Sequence, residues 1–95
     1  MTLEELEEEL SNYQEHFDCI YIHWTAGGYD TTYDDYHLCI DGDGNLYNTL
    51  DFSATSFATW HRNWRSLSIA LCCCAGAKLY NDHTDFGAYP PTDAQ

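Results

Sequence analysis

The chain is poor in positive charge. Of its 95 residues only Arg62, Arg65 and Lys78 are basic, against sixteen Asp and Glu, which gives a formal net charge of -13. Nucleic acid and anionic membrane surfaces both require a cationic face, so the composition excludes them as principal partners. Long apolar runs are absent as well. No stretch approaches the roughly 20 residues of a membrane-spanning helix. The acidic N-terminus lacks the basic start and apolar run of a secretory leader, so the expectation is a chain made in the cytoplasm without a signal peptide. Proline occurs only as Pro90-Pro91, and there is no repeat, linker or low-complexity tract. The cysteines lack a pairing pattern. There are five, Cys19, Cys39, Cys72, Cys73 and Cys74, three of them adjacent, which reads as reduced thiols rather than a disulfide framework.

What is present is globular: 44% hydrophobic and 16% aromatic residues in one domain at most, residues 1–95. Much of the negative charge lies between Glu4 and Glu9, where it fits the solvated face and first turns of a helix. Thr2-Leu3-Glu4-Glu5 is a capping box. Leu3, Leu6, Leu10, Tyr13 and Phe17 recur at helical spacing, predicting a helix over 3–16. The β-branched and aromatic run from Cys19 to His23 predicts a buried strand. Further strands are predicted over 36–40 and 45–50, joined by a hairpin turn at Asp41-Gly42-Asp43-Gly44, and over 67–73 as a central strand apolar on both faces. Residues 51–66 and 75–91 read as loops, and Thr92 as the cap of a further helix. Together these elements predict an α/β fold, a central mixed sheet with helix cover.

Several residues carry possible chemistry. His23 stands where the first strand leaves for Thr25-Ala26-Gly27-Gly28, a place from which a histidine can ligate a metal; a satisfied structural histidine is the plainer reading. Tyr36 and His37 begin the second strand, so alternation lets only one of them face His23. The functional reading makes Tyr36 a hydroxyl donor with His37 packed nearby; the plainer one is a core aromatic and a surface histidine. Asp41 to Asn45 resembles a calcium loop only superficially, since Leu46 and Phe52 stand where glycine and glutamate are required. Cys72, Cys73 and Cys74 read as core residues. Trp60-His61-Arg62-Asn63-Trp64-Arg65 is the one basic and aromatic cluster, suited to a sugar or peptide carboxylate or simply to anchoring a loop.

Taken in order, these segments resemble a known family. Ile20-Tyr21-Ile22-His23-Trp24-Thr25-Ala26-Gly27 resembles the first zinc-ligand strand of the N-acetylmuramoyl-L-alanine amidases related to peptidoglycan recognition proteins. Tyr36 to Gly44 resembles their next strand and hairpin, and Asn63 to Leu71 their central strand. Cys72 to Gly76 and Pro90 to Gln95 are similar to a phage and prophage (endolysin) branch. The resemblance covers roughly residues 19–95. It implies hydrolysis, in the bacterial cell wall, of the amide between N-acetylmuramic acid and L-alanine of the peptidoglycan stem peptide by a zinc-bound water. It makes His23 a zinc ligand, Tyr36 the assisting tyrosine, and Trp24, Thr25, His37, Trp60 and Asn63 substrate-binding residues.

The chain departs from the family at Ala58, where a histidine is common, and at Ser68, where a glycine of the central strand is usual. The family's other two zinc ligands lie beyond a helix that would start near Thr92, so the resemblance makes this chain the N-terminal portion of such a domain, completed by a further segment or a partner chain. The alternatives are a non-catalytic peptidoglycan-binding module and a structural or assembly protein reusing the sheet.

Overall fold

The computed structural model describes residues 1–56 and 65–95. Its first element, α1 (Leu3–Ser11), begins as the capping box requires. Thr2 Oγ1 accepts from the Glu5 N–H at 3.0 Å, and Glu5 Oε1 accepts from the Thr2 N–H at 3.1 Å. The helix stops well short of residue 16. Ser11 Oγ and Asn12 Nδ2 both donate to the Glu8 carbonyl, the competition by short polar side chains that ends helices. Tight turns follow, with Tyr13 N–H donating to Leu10 O and His16 N–H to Tyr13 O. Tyr13 and Phe17 therefore leave the leucine stripe and pack elsewhere, Tyr13 against Phe52 and Phe17 against His37.

Four strands form one mixed sheet, β1 (Cys19–Trp24), β2 (Leu38–Ile40), β3 (Leu46–Asn48) and β4 (Ser66–Leu71), in the order β1-β4-β2-β3. The central strand β4 runs parallel to both neighbours, pairing Ile22 with Ile69 on one side and Ile69 with Leu38 on the other. β3 closes the other edge as an antiparallel hairpin with β2. Arg65 ties the starts of β1 and β4 together, its Nε and Nη2 reaching the two Asp18 carboxylate oxygens at 2.7 and 3.0 Å. The core lies where β4 meets β2: Leu38, Cys39, Leu67, Ala70 and Cys72 are buried, with Phe52 beside them. Among the described residues the domain is thus α/β with a mixed sheet and one helix, and no residue of that helix is fully buried. Among the described residues no helix is long and apolar enough to cross a membrane.

The turn between β2 and β3 is held by Asp41. Its Oδ1 accepts the backbone N–H groups of Asp43 and Asn45, and its Oδ2 accepts Asn45 Nδ2 and the Tyr47 hydroxyl. The carboxylate is thereby consumed as a turn cap. Gly44 takes φ 86°, and a β-carbon there would lie 2.8 Å from the Ala94 carbonyl oxygen, so the position requires glycine.

Three segments differ from their predicted form. β4 ends at Leu71, and Cys72, Cys73 and Cys74 lie after it rather than in the central strand. They are nevertheless fully buried, and free. The chain turns at Cys74, which has φ 67° and whose N–H donates to Tyr89 O. Residues 75–91 contain a short hairpin, β5 (Lys78–Leu79) with β6 (Thr84–Asp85). Thr92 starts no helix. Its N–H donates to Gln95 Oε1 and its Oγ1 to Gly42 O, while Gln95 Nε2 donates to Ile40 O and Cys72 O. The last residues clasp the ends of β2 and β4.

Two outcomes follow from this packing. Burial pushes the Cys72 and Cys73 thiols up to about 12, and only Cys19 is exposed. Native protein treated with iodoacetamide at neutral pH should therefore carry one label by mass spectrometry, at Cys19, and label at every cysteine only once unfolded. At Asp41, burial opposes the charge, but the hydrogen bonds from Asn45, Tyr47 and Asp43 outweigh it and hold the pKa below the usual carboxylate value. Such a group contributes stability above its unfolded pKa of about 3.9, lost as pH falls through the folded value. Asp41→Asn should cost about 1–3 kcal/mol at pH 7, and its deficit in thermal melting should shrink as pH drops below about 4.

Candidate functional site

His23 is the next-to-last residue of β1. Alternation along the strand puts it on the same sheet face as Tyr21, in register with Ala70 of β4 and, through Ala70, with Cys39 of β2. The loop after β1 is held close to the sheet. Thr25 N–H donates to Leu71 O, and the Gly27 N–H donates to Thr25 Oγ1 at 3.2 Å. A β-carbon at Gly27 would lie 3.0 Å from the Tyr33 hydroxyl, so this tyrosine packs down on the loop because the position is glycine. No sequence pattern pointed to Tyr33.

This folding back delivers Tyr36 to His23. Their ring centroids are 5.5 Å apart with planes inclined at 38°, and Tyr36 packs against Cys39, Ala70 and Cys72. Both rings are half-buried, and burial sets the protonation of each. It lowers the His23 pKa, favouring the neutral imidazole, the form that ligates metals. It raises that of Tyr36, helped by the nearby Asp35 carboxylate, so the phenol stays protonated as a donor.

His37 lies elsewhere. As expected, only one of the pair, Tyr36, faces His23, although β2 begins at Leu38 and residues 36 and 37 precede the strand. His37 is fully buried. Its Nδ1 accepts the Ser68 N–H at 3.1 Å, and its Nε2 meets the Ala54 carbonyl at 2.7 Å. A carbonyl only accepts, so Nε2 carries the proton. Ser68 N–H is the donor of β4 one step below the end of the β2 ladder, and the imidazole substitutes there for a strand partner. Phe17 and Phe52 pack on the ring. With both nitrogens bonded to backbone, His37 offers no polar atom to a ligand, and the geometry gives it a structural role in place of the expected substrate contact.

The other expected contacts divide. Thr25 is half-buried with its Oγ1 engaged by Gly27 N–H. Trp24 falls on the face opposite His23, exposed and edge-on to Phe86 with centroids 5.1 Å apart. Trp60 and Asn63, like Ala58 and His61, lie outside the described residues. Ser68 Oγ is buried and has no hydrogen-bond partner among the described residues, a cost that a glycine or alanine at this point of β4 would avoid.

A zinc ion needs about three protein ligands. Among the described residues no three His, Cys, Asp or Glu side chains are grouped to hold a metal, so these residues do not fit zinc by themselves. No protein-family model, curated protein or solved structure matches this chain.

The structural assignment of His37 is open to measurement. His37→Phe keeps the ring but leaves Ser68 N–H and Ala54 C=O unpaired in the interior. Chemical denaturation should show a loss of about 2–4 kcal/mol.

Proposed function

We propose that this chain carries the His23–Tyr36 part of a peptidoglycan amidase site, which cleaves the amide between N-acetylmuramic acid and L-alanine of the stem peptide. The observation that carries this reading is the meeting of His23 and Tyr36. They come from different elements, with neutral imidazole and protonated phenol both reachable from solvent. It supports the resemblance of the two segments that contain them. Tyr36 would donate a hydrogen bond to the oxygen that gains negative charge as the amide carbon becomes tetrahedral. Half-burial strengthens that bond and keeps the phenol from ionising. Thr25, through its turn with Gly27, would hold the loop that borders the substrate. His23 would be one ligand of the zinc that activates the attacking water in this family. The remaining ligands, in this proposal, belong to a following segment or a second chain, as does the cover for the open part of the sheet.

The second reading is a peptidoglycan-binding module without catalysis, favoured by the single candidate ligand among the described residues. Both readings predict that the purified chain sediments with insoluble peptidoglycan. In the amidase reading, the 95-residue chain with zinc should release no stem peptide, whereas a chain with the complementary segment should release it in a chelator-sensitive reaction. Tyr36→Phe in that complete enzyme should lower kcat by roughly 10²–10³-fold with KM little changed. Failure to bind peptidoglycan would remove both readings, and an unchanged kcat would remove Tyr36 from the mechanism.

A further inference from the structure

Leu3, Leu6 and Leu10 form one stripe along α1, at the i, i+3, i+7 spacing of a helix-packing ridge. None of them is buried, and Leu3 is 74% exposed. A hollow of about 650 Å³ lies against this stripe, lined by Leu3, Leu6, Glu7, Leu10, Ser11 and Gln14. It adjoins a second hollow of about 280 Å³ that shares Leu10 and Gln14 and is walled by Tyr13, Phe17, Ile20 and Leu67. From there the apolar surface continues onto β1, the edge strand, where Ile20 and Ile22 are 60% and 68% exposed. Scattered surface leucines are ordinary; a continuous apolar channel from a helix to a sheet edge marks an interaction surface.

Charge distinguishes the possible occupants. Glu7 stands in the wall of the larger hollow. At about 3.6 residues per turn, Glu4 falls on the same flank of the stripe and Glu9 on the other. Among the described residues, Arg65 is the basic residue nearest the far end, and it is committed to Asp18. An anionic lipid surface is repelled by such a rim. A second copy of the chain would set one acidic flank against another, between molecules that each carry -13. A complementary occupant has an apolar ridge of the same spacing and flanks of lysine or arginine.

We propose that the groove formed by α1 and the start of β1 binds an amphipathic helix of another polypeptide, with apolar residues at i, i+3 or i+4, and i+7 and basic residues on both flanks. The leucine ridge of α1 receives that apolar face, and Glu4, Glu7 and Glu9 set the orientation and the on-rate more than the affinity. The inference stands independently of the amidase reading.

The test uses three fluorescent synthetic peptides of roughly 18 residues, long enough to form a helix. One has leucines at heptad a and d positions with lysine flanks, one has the same leucines with glutamate flanks, and one has the lysine composition scrambled. Fluorescence anisotropy with the intact chain should show the lysine-flanked helix binding at least about tenfold more tightly than either control, with affinity falling as salt rises. Leu6→Ser/Leu10→Ser should weaken it by a further tenfold or so, and Glu4→Gln/Glu7→Gln should flatten the salt dependence. Methyl NMR shifts on the unsubstituted protein guard against variants that unfold; they should localise to Leu3, Leu6, Leu10 and Ile20. Equal binding of the scrambled peptide, or shifts that avoid these methyls, would overturn the proposal. So would a dimer in sedimentation that the leucine substitutions dissolve, since it would give the groove to a second copy.

Discussion

The arrangement of the domain depends on the backbone ladder of β4. This strand is hydrogen-bonded on both edges to parallel neighbours, through Thr25 N–H to Leu71 O on the β1 side and Cys72 N–H to Ile40 O on the β2 side. Parallel strands cannot be joined by a tight turn. The chain between β1 and β2 must therefore leave the end of β1 and travel back to the start of β2. In this protein it does so close to the sheet, with Tyr33 seated on Gly27 and Tyr36 arriving over His23. The candidate site is a product of that return path. Two residues thirteen positions apart meet because β4 holds their strands in parallel on either side of it.

The same constraint explains His37. β2 is only three residues long and leaves the Ser68 N–H of β4 beyond the end of its ladder. A buried N–H without an acceptor is costly, and the imidazole fills the gap while its other nitrogen secures the loop at Ala54. A histidine beside a candidate site thus has a backbone partner to satisfy. Its neighbour Tyr36 is held by the packing of its ring against His23, Cys39, Ala70 and Cys72.

Among the described residues, one helix is little cover for a four-stranded sheet. The burial along β4 and β2 contrasts with the open isoleucines of β1 and the unburied leucines of α1. The Asp41 turn, the buried thiols, the Gln95 clasp and the His37 bridge lie toward the β4–β2–β3 side. The β1 side holds an ion pair on the surface and an apolar channel rimmed with glutamate.

The local features were legible in the residues because local physics decides them. The capping box at Thr2, the strand character of 19–23, the Asp41–Gly44 turn and the central place of the strand expected over 67–73 follow from hydrogen-bonding side chains, β-branching and alternation. The resemblance singled out His23 and Tyr36, and they do meet. Other things depend on where β4's ladder begins and ends, which no window of sequence contains. These are the placement of the three cysteines after β4 and the clasp at Thr92 and Gln95. The division has a physical cause: caps and turns are contacts over three or four residues, whereas the role of His37 depends on an unpaired N–H thirty-one residues away, which only the folded sheet brings to it.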